Sequence, residues 1–473
     1  MTSERGALPP GWTEVPISAV AQLLRGVSYE KSAATEQPKD GHLPILRATN
    51  IQDEHLILDT DLVYVPERFV KPEQLLKPGD VVICMSSGSK HLVGKTAQLN
   101  QDWAGSFGTF CAVARFQPVV DTRFAGFFFG SMGYRNLIRE KASGVNINNL
   151  RHGDIETLII PLPPLPEQQR IVAEIEKQFT RLDVGVAALK RVQANLRRYR
   201  ASVLKAACEG RLTPQDPDDE PAERLLARIR AERRAKWEAE HPGKRYVEPA
   251  APETDGLAEL PVGWCWATVE MIANPKKNSI KRGPFGSAVK KAFFVQQGYK
   301  VYEQGNVIHR DFDRGNYFIS QEKFQELIDF EITPGDLLIT GAGTIGRTAV
   351  VPHGVQHGII NQALVKLSLD CQLVDVNLFQ YNFEVAVRKA LLKETRGSAM
   401  QNLSSVADLK RQLFALPPLS EQHRIIGEVE RRLSVVAKLE ATVAANLARA
   451  GRLRQAVLKR AFEGRLVAHV YGL

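Results

Sequence analysis

LPPLPEQQR fills residues 162–170, and LPPLSEQHR fills residues 416–424, 254 positions later. Seven of the nine letters agree; Pro166 and Gln169 are replaced by Ser420 and His423. The same offset relates SVLKAACEGRL (202–212) to AVLKRAFEGRL (456–466). Upstream, LPPGW (8–12) answers to LPVGW (260–264), KPGDVVI (77–83) to TPGDLLI (333–339), GKTA (94–97) to GRTA (346–349), and GVNINNL (144–150) to GSAMQNL (397–403). The offsets drift by only a few residues, so the chain is a tandem duplication whose unit is about half its length. Solenoid repeats have periods of roughly 20–50 residues, so the pattern predicts two domains rather than an array.

Each repeated phrase opens a long helix. Ile175, Phe179, Leu182, Val186, Leu189, Gln193, Leu196, Arg200, Val203 and Ala207 are spaced alternately four and three apart. In the second copy Val429, Leu433, Val436, Glu440, Val443, Leu447, Ala450, Arg454, Val457 and Ala461 repeat the spacing. A 3.5-residue period is the signature of a coiled-coil seam. Pro166 and Pro418 stand near the helix starts, and Gly210 and Gly464 stand where C-terminal glycines belong. Two helices of matched length and pattern in one chain most simply pack on each other. Residues 216–255 are charged, and Pro-rich at both ends. Their middle, residues 222–240, reads as an exposed helix between linkers, a tether that lets the second copy swing into place.

The segments before each phrase alternate short apolar runs with turns. VVICM (81–85), CAVARF (111–116), LLIT (337–340) and ALVKL (363–367) read as strands, and residues 124–142 and 377–394 as helices. Each unit is therefore mixed α and β, about 150 residues long, and the fold class is α+β. The segments are residues 1–165, a helical spacer over 166–212, a charged linker over 213–258, residues 259–417, and a second spacer over 418–468.

Two stretches imitate phosphate-binding loops. LLITGAGTIG places Gly341, Gly343 and Gly346 after a strand, yet RTAVVPHG follows where a dinucleotide site needs a helix. GSKHLVGKT (88–96) carries Ser89 where the loop spacing asks for glycine. Both read as turns. No HExxH, GxSxG, NPPY or DPPY tetrad is present, and no PD…ExK arrangement is evident, so the chain reads as non-catalytic. The five cysteines, Cys84, Cys111, Cys208, Cys265 and Cys371, are scattered and show no zinc spacing. With no apolar run of roughly 18 residues and no apolar leader at MTSERGALPP, the expectation is a cytoplasmic protein with reduced thiols. The 473 residues carry a net charge of +9, and the two segments that hold the spacers, 166–212 and 416–473, each carry ten basic against five acidic residues. Such a balance suits a polyanion partner.

With both proline phrases, both EGRL helix ends, LRATNI (46–51), GPFGS (283–287) and the KPGD/TPGD pair, the sequence resembles the DNA-specificity subunits of type I restriction-modification systems over nearly its whole length. The resemblance implies two target recognition domains in a pseudo-twofold arrangement, separated by two long antiparallel coiled-coil helices. It implies an asymmetric, bipartite double-stranded DNA target and two methyltransferase subunits as partners, with motor-nuclease subunits as further ones. No cofactor is expected in this chain; S-adenosylmethionine, ATP and Mg belong to the partner subunits. Ile175, Phe179, Leu182, Leu189, Val429, Leu433, Val436 and Val443 become spacer and docking positions. DNA-contact candidates are the cations of residues 274–291, Lys276, Lys277, Lys281, Arg282, Lys290 and Lys291, as phosphate ligands. In the first unit they are Lys31, Arg47, Asn50, Lys90 and Lys95, with Arg47 and Asn50 suited to bidentate base contacts. The competing readings are a coiled-coil adaptor without a nucleic-acid role and the specificity part of a fused methyltransferase-nuclease.

Overall fold

The repeated letters form one knot, tied twice. In the computed structural model Trp12 donates from Nε1 to the buried Glu167 carboxylate at 3.1 Å, and Trp264 donates to Glu421 at 2.9 Å. Gln168 donates to the carbonyls of Val119 and Pro163 and accepts from the Asp121 amide. Gln422 repeats this with Leu373, Pro417 and Asp375. Both glutamines are fully buried, so each amide is a satisfied core polar group; stripping one would cost about 1–3 kcal/mol. The positions that differ between the phrases, 166/420 and 169/423, are exposed. The shared letters are those that bind the helix start to LPxGW and to the loop that precedes Thr122–Phe129 in one copy and Val376–Glu394 in the other.

The structure describes residues 8–52, 54–87, 92–141, 149–285, 288–342, 344–394 and 405–468. The chain divides into two compact units, residues 1–191 with 443–473, and residues 192–442. In the first, Thr13–Pro16 pairs antiparallel with Ile159–Leu162 and closes the globular part onto its helix. A four-stranded sheet runs in the order Ala21–Arg25, Cys111–Phe116, Val81–Cys84, Thr96–Gln98, all antiparallel. A second sheet holds Val63–Pro66, His42–Leu46 and Ser106–Phe107, the last pair parallel. The second unit repeats the plan. Cys265–Thr268 pairs with Leu413–Leu416, and the main sheet runs Ile280–Arg282, Leu364–Leu367, Leu337–Thr340, Thr348–Val350. Its second sheet gains a strand, Phe294–Val295, and keeps the parallel pair Tyr299–Tyr302 with Gly358–Ile360. The four predicted strands lie where expected. Leu337–Thr340 pairs with the antiparallel strand Thr348–Val350, with Gly341 and Gly346 between them, a hairpin and not a nucleotide loop; Gly343 lies outside the described residues.

One helix prediction needs correction. In place of the single helix expected over 124–142, the described residues form two, Thr122–Phe129 and Met132–Lys141, broken at Gly130 and Ser131; residue 142 lies outside them. Ser131 Oγ bonds the Phe128 carbonyl, a local bond that competes with helix continuation. The second copy lacks this pair and runs unbroken over Val376–Glu394.

The long helices, Leu165–Cys208 and Leu419–Phe462, are 44 residues each. Every predicted seam position is buried or half-buried, from Ile175 and Ala207 to Val429 and Ala461. Leu189 and Leu433 are among the half-buried ones, as Gln193, Arg200, Glu440 and Arg454 are, which fits a seam with polar interruptions. Gly210 and Gly464, at φ +63° and +68°, let the chain turn back, with the Arg211 amide bonded to the Ala206 carbonyl and Arg465 to Arg460. Within the first unit the end of the second helix lies antiparallel to the start of the first. The Arg454 guanidinium sits 3.9 Å over the Phe179 ring and bonds Asp183, while Arg170 reaches the Ala468 carbonyl. Leu458 and Ala461 enter the first unit's core beside Trp12, Phe124 and Ile175. Val203, Leu204 and Ala207 enter the second unit's core beside Trp264, Ile425 and Val429. Each globular part is thus completed by the last turns of the other copy's helix.

The linker is not a swinging tether. Its helix covers Ala222–Glu240 as predicted, but Ala222, Leu225, Leu226 and Ile229 are buried in the second unit's core. Arg233 donates to the Met271 carbonyl and Asp370, and Arg424 holds Asp219 through two bonds. That bonding holds Asp219 below the usual carboxylate range. The exposed-helix reading fails because the apolar residues 222, 225, 226 and 229 form a helical stripe that charge counting hides.

Candidate nucleic-acid interface

Four of the second unit's candidate cations lie on or just before one edge strand, Ile280–Arg282, and two lie in the turn before the second sheet's strand Phe294–Val295. Lys276 and Lys277 occupy the turn that enters the edge strand, closed by Ser279 bonding the Asn274 carbonyl at 2.6 Å; both lysines are exposed. Arg282 ends the strand, opposite Val365, and is exposed. Lys290 and Lys291, also exposed, stand where a short 3-10 turn, Lys291–Phe293, begins. Among the described residues no side-chain ion pair forms at these five positions. Lys281 differs. Its amine lies 3.1 Å from Asn278 Oδ1, 3.9 Å from Asp329 and 5.0 Å above the Phe330 ring, so much of its charge is spent inside the unit.

In the first unit the candidates separate. Lys31 begins the 3-10 turn Lys31–Ala33 and is exposed. Lys95 is half-buried near Cys84 and Cys111; its charge opposes, without overcoming, the burial that pushes the Cys111 thiol up to about 12. Such thiols are protonated and inert. Arg47 is held by the Asp61 carbonyl at 2.9 Å and by the Asp61 carboxylate. Lys90 lies outside the described residues. Asn50 is corrected from base reader to structural residue. It is 1% exposed, its Oδ1 accepts from the Arg47 amide, and its two amide hydrogens serve the Ile57 and Thr60 carbonyls, leaving none for a base edge. Asn306 does the same in the second unit with Glu303, Asp311 and Arg314, so this asparagine belongs to the duplicated framework.

One residue escaped the sequence reading. Arg25 ends the first unit's edge strand opposite Ala112, as Arg282 ends the second's, and it too is exposed. The signal is the shared Arg–Gly pair at 25–26 and 282–283, at an offset of 257, which lies outside the aligned phrases. Among the described residues no group of His, Cys, Asp and Glu could hold a metal ion, and no helix is long and apolar enough to cross a membrane.

A family model for the type I restriction modification DNA specificity domain matches residues 9–184 and 285–435. The chain belongs to the type I restriction-modification DNA-specificity family. It is 29% identical over 470 residues to the EcoKI specificity subunit of Escherichia coli K12, covering 98% of this chain and 91% of that one. It is 29% identical over 475 residues to the StySPI specificity subunit of Salmonella potsdam, with the same coverages. A solved chain described under complex assembly and conformational transition of the type I R-M system aligns with TM-score 0.63 at 21% identity, covering 97% of this chain and 100% of that one. For this family member the two matched stretches fall one in each globular part, and both include a proline phrase.

Proposed function

We propose that this chain is the DNA-specificity subunit of a type I restriction-modification complex, itself without catalytic activity, and that each globular part reads one half of a bipartite duplex target. The observation that carries the reading is duplication without identity. The knots, sheets and seams are repeated, while the loops and charges around them differ. Like frameworks present two readers; unlike surfaces read unlike sequences, so the target is asymmetric and split. Arg25 and Arg282, at the ends of corresponding edge strands, and the exposed Lys31, Lys290 and Lys291 supply phosphate ligands.

The long helices act as the ruler and as the docking surface for two methyltransferase subunits. Val184, Val192 and Tyr199 are exposed on the first helix, and Val435, Leu439 and Leu453 on the second. At ~100° per residue each set falls on one face, within ~80° and ~40°. Uncovered apolar stripes on otherwise charged helices suit partner helices. Motor-nuclease subunits, S-adenosylmethionine, ATP and Mg enter through those partners.

The test is to insert seven residues in phase into both helices. Each lengthens by ~10 Å, and at ~3.4 Å per base pair the gap between methylated half-sites should grow by about three base pairs. Methylation mapped at the original gap would end the ruler reading. Methylation mapping with and without the gene identifies the target, and an unchanged pattern would support the adaptor alternative.

A further inference from the structure

The two most exposed aromatic side chains among the described residues are Phe285, 90% exposed, and Phe110, 61%. They mark the same corner of the fold, on different loops. In each unit the edge strand ends in Arg–Gly, and the glycine lies flat against the turn before the central strand. A Cβ on Gly26 would collide with the Gly108 carbonyl, and one on Gly283 with that of Asn361. The two turns are equivalent: Cys111 donates to the Gly108 carbonyl at 2.9 Å, and Leu364 to the Asn361 carbonyl at 3.1 Å. Next along each turn, the Met85 amide bonds the Phe110 carbonyl, and the Gly341 amide bonds that of Ala363. Phe110 therefore corresponds to Ala363. Counted from the packed glycine, Phe285 corresponds to Ser28. Each copy places one aromatic ring at this corner, from the loop on which the other copy carries a small residue.

Neither ring stacks on another ring or lies under a cation among the described residues. Cations stand near both in the chain or the sheet. Arg282 lies three residues before Phe285, and Lys290 and Lys291 follow it. Arg25 precedes Gly26 and stands in the sheet opposite Ala112, two residues after Phe110. A protein partner would favour a contiguous apolar patch. A lone exposed ring beside an edge strand that ends in arginine fits a duplex instead, with phosphates for the cation and the base stack for the ring.

We propose that these rings are wedges that enter the DNA base stack, Phe110 in one half-site and Phe285 in the other. This rests on the DNA-reading function above. The wedge locally unstacks the duplex and sets each reader's register on its half-site, while the neighbouring cations hold the backbone.

The test uses the full chain co-expressed with its methyltransferase subunits and duplexes carrying 2-aminopurine at successive positions of each half-site. The parent complex should brighten one position per half. Phe285→Ala should abolish the rise in the second reader's half only and weaken cognate binding roughly 5- to 150-fold. Phe110→Ala should do the same in the other half, and Phe285→Trp should retain both signals. Unchanged melting curves show that the variants are folded. A parent complex that binds its site tightly with no rise at any position overturns the wedge, as do alanine variants that keep the rise. So does Phe285→Ala if it sheds methyltransferase subunits while its fluorescence signal stays. A parent complex that binds no DNA overturns the DNA-reading function itself, so the two failures are distinguishable.

Discussion

At the scale of single residues, the motif that reveals the duplication is structural, and its chemistry predicts how it fails. Gln422 satisfies one amide and two carbonyls in a dry site, so Gln422→Ala should lower stability by about 1–3 kcal/mol, read as a lower urea midpoint. Glu421 adds a pH dependence. Burial pushes its carboxyl above the ordinary 4.5, against the opposing pull of the Trp264 hydrogen bond, the Gln215 hydrogen bond and the Arg424 charge. An acid whose pKa is raised on folding contributes stability below its unfolded value and loses it as pH rises through the folded one. Trp264→Phe removes the main group that favours the charged form. Its stability deficit against the parent should therefore be small near pH 4 and grow toward pH 8. A deficit independent of pH would show that Glu421 does not sense its partner. Asn50 teaches the complementary lesson: a residue chemically suited to an adenine edge is consumed by its own loop, and only the hydrogen-bond geometry reveals it.

At the scale of elements, the long helices hold because their seam enters two cores, one at each end. Phe179 is buried in the first unit and capped by the Arg454 guanidinium. Phe179→Ala should cost about 3–5 kcal/mol through lost burial and the cavity left behind. Arg454→Lys should cost far less, since it keeps a cation above the ring; calorimetry of the two variants compares the contributions. The linker helix gives the sharper test. With Leu225, Leu226 and Ile229 docked, limited proteolysis should spare the helix Ala222–Glu240 in the parent. Ile229→Asp buries an unpaired charge and should free the helix, giving rapid cleavage there while the long helices survive. Equal resistance in the variant would restore the tether as the better description. The heptad spacing was legible because 3.5-residue periodicity is written directly in the order of residues. The linker's docking was not, because its apolar stripe is short and sits among many charges.

At the scale of the whole molecule, the function follows from repeating a framework while varying its edges. The salt dependence of DNA binding tests which edges carry the phosphates. Replacing Arg282, Lys290 and Lys291 by alanine, singly, should reduce the slope of log affinity against log salt by about one each and weaken cognate and random DNA alike. Lys281→Ala should change the slope less, because that amine already faces Asn278 and Asp329. A loss confined to cognate DNA would reassign the residue concerned from phosphate contact to base reading.

The order of residues alone determined the duplication, the seams, the four core strands and the α+β class, since each depends on periodicities and phrases local to the chain. It also determined the family, through the two proline phrases and the matching helix ends. Tertiary structure decided the rest. It decided that Asn50 is spent, that Arg47 and Lys281 are paired, that the linker is docked, and that Phe110 and Phe285 mark corresponding corners of the two units. Those facts depend on which side chains meet, and the linker's pairings reach across 137 and 205 positions of sequence. Burial and hydrogen-bond saturation are properties of the folded neighbourhood, and no local pattern of letters encodes them.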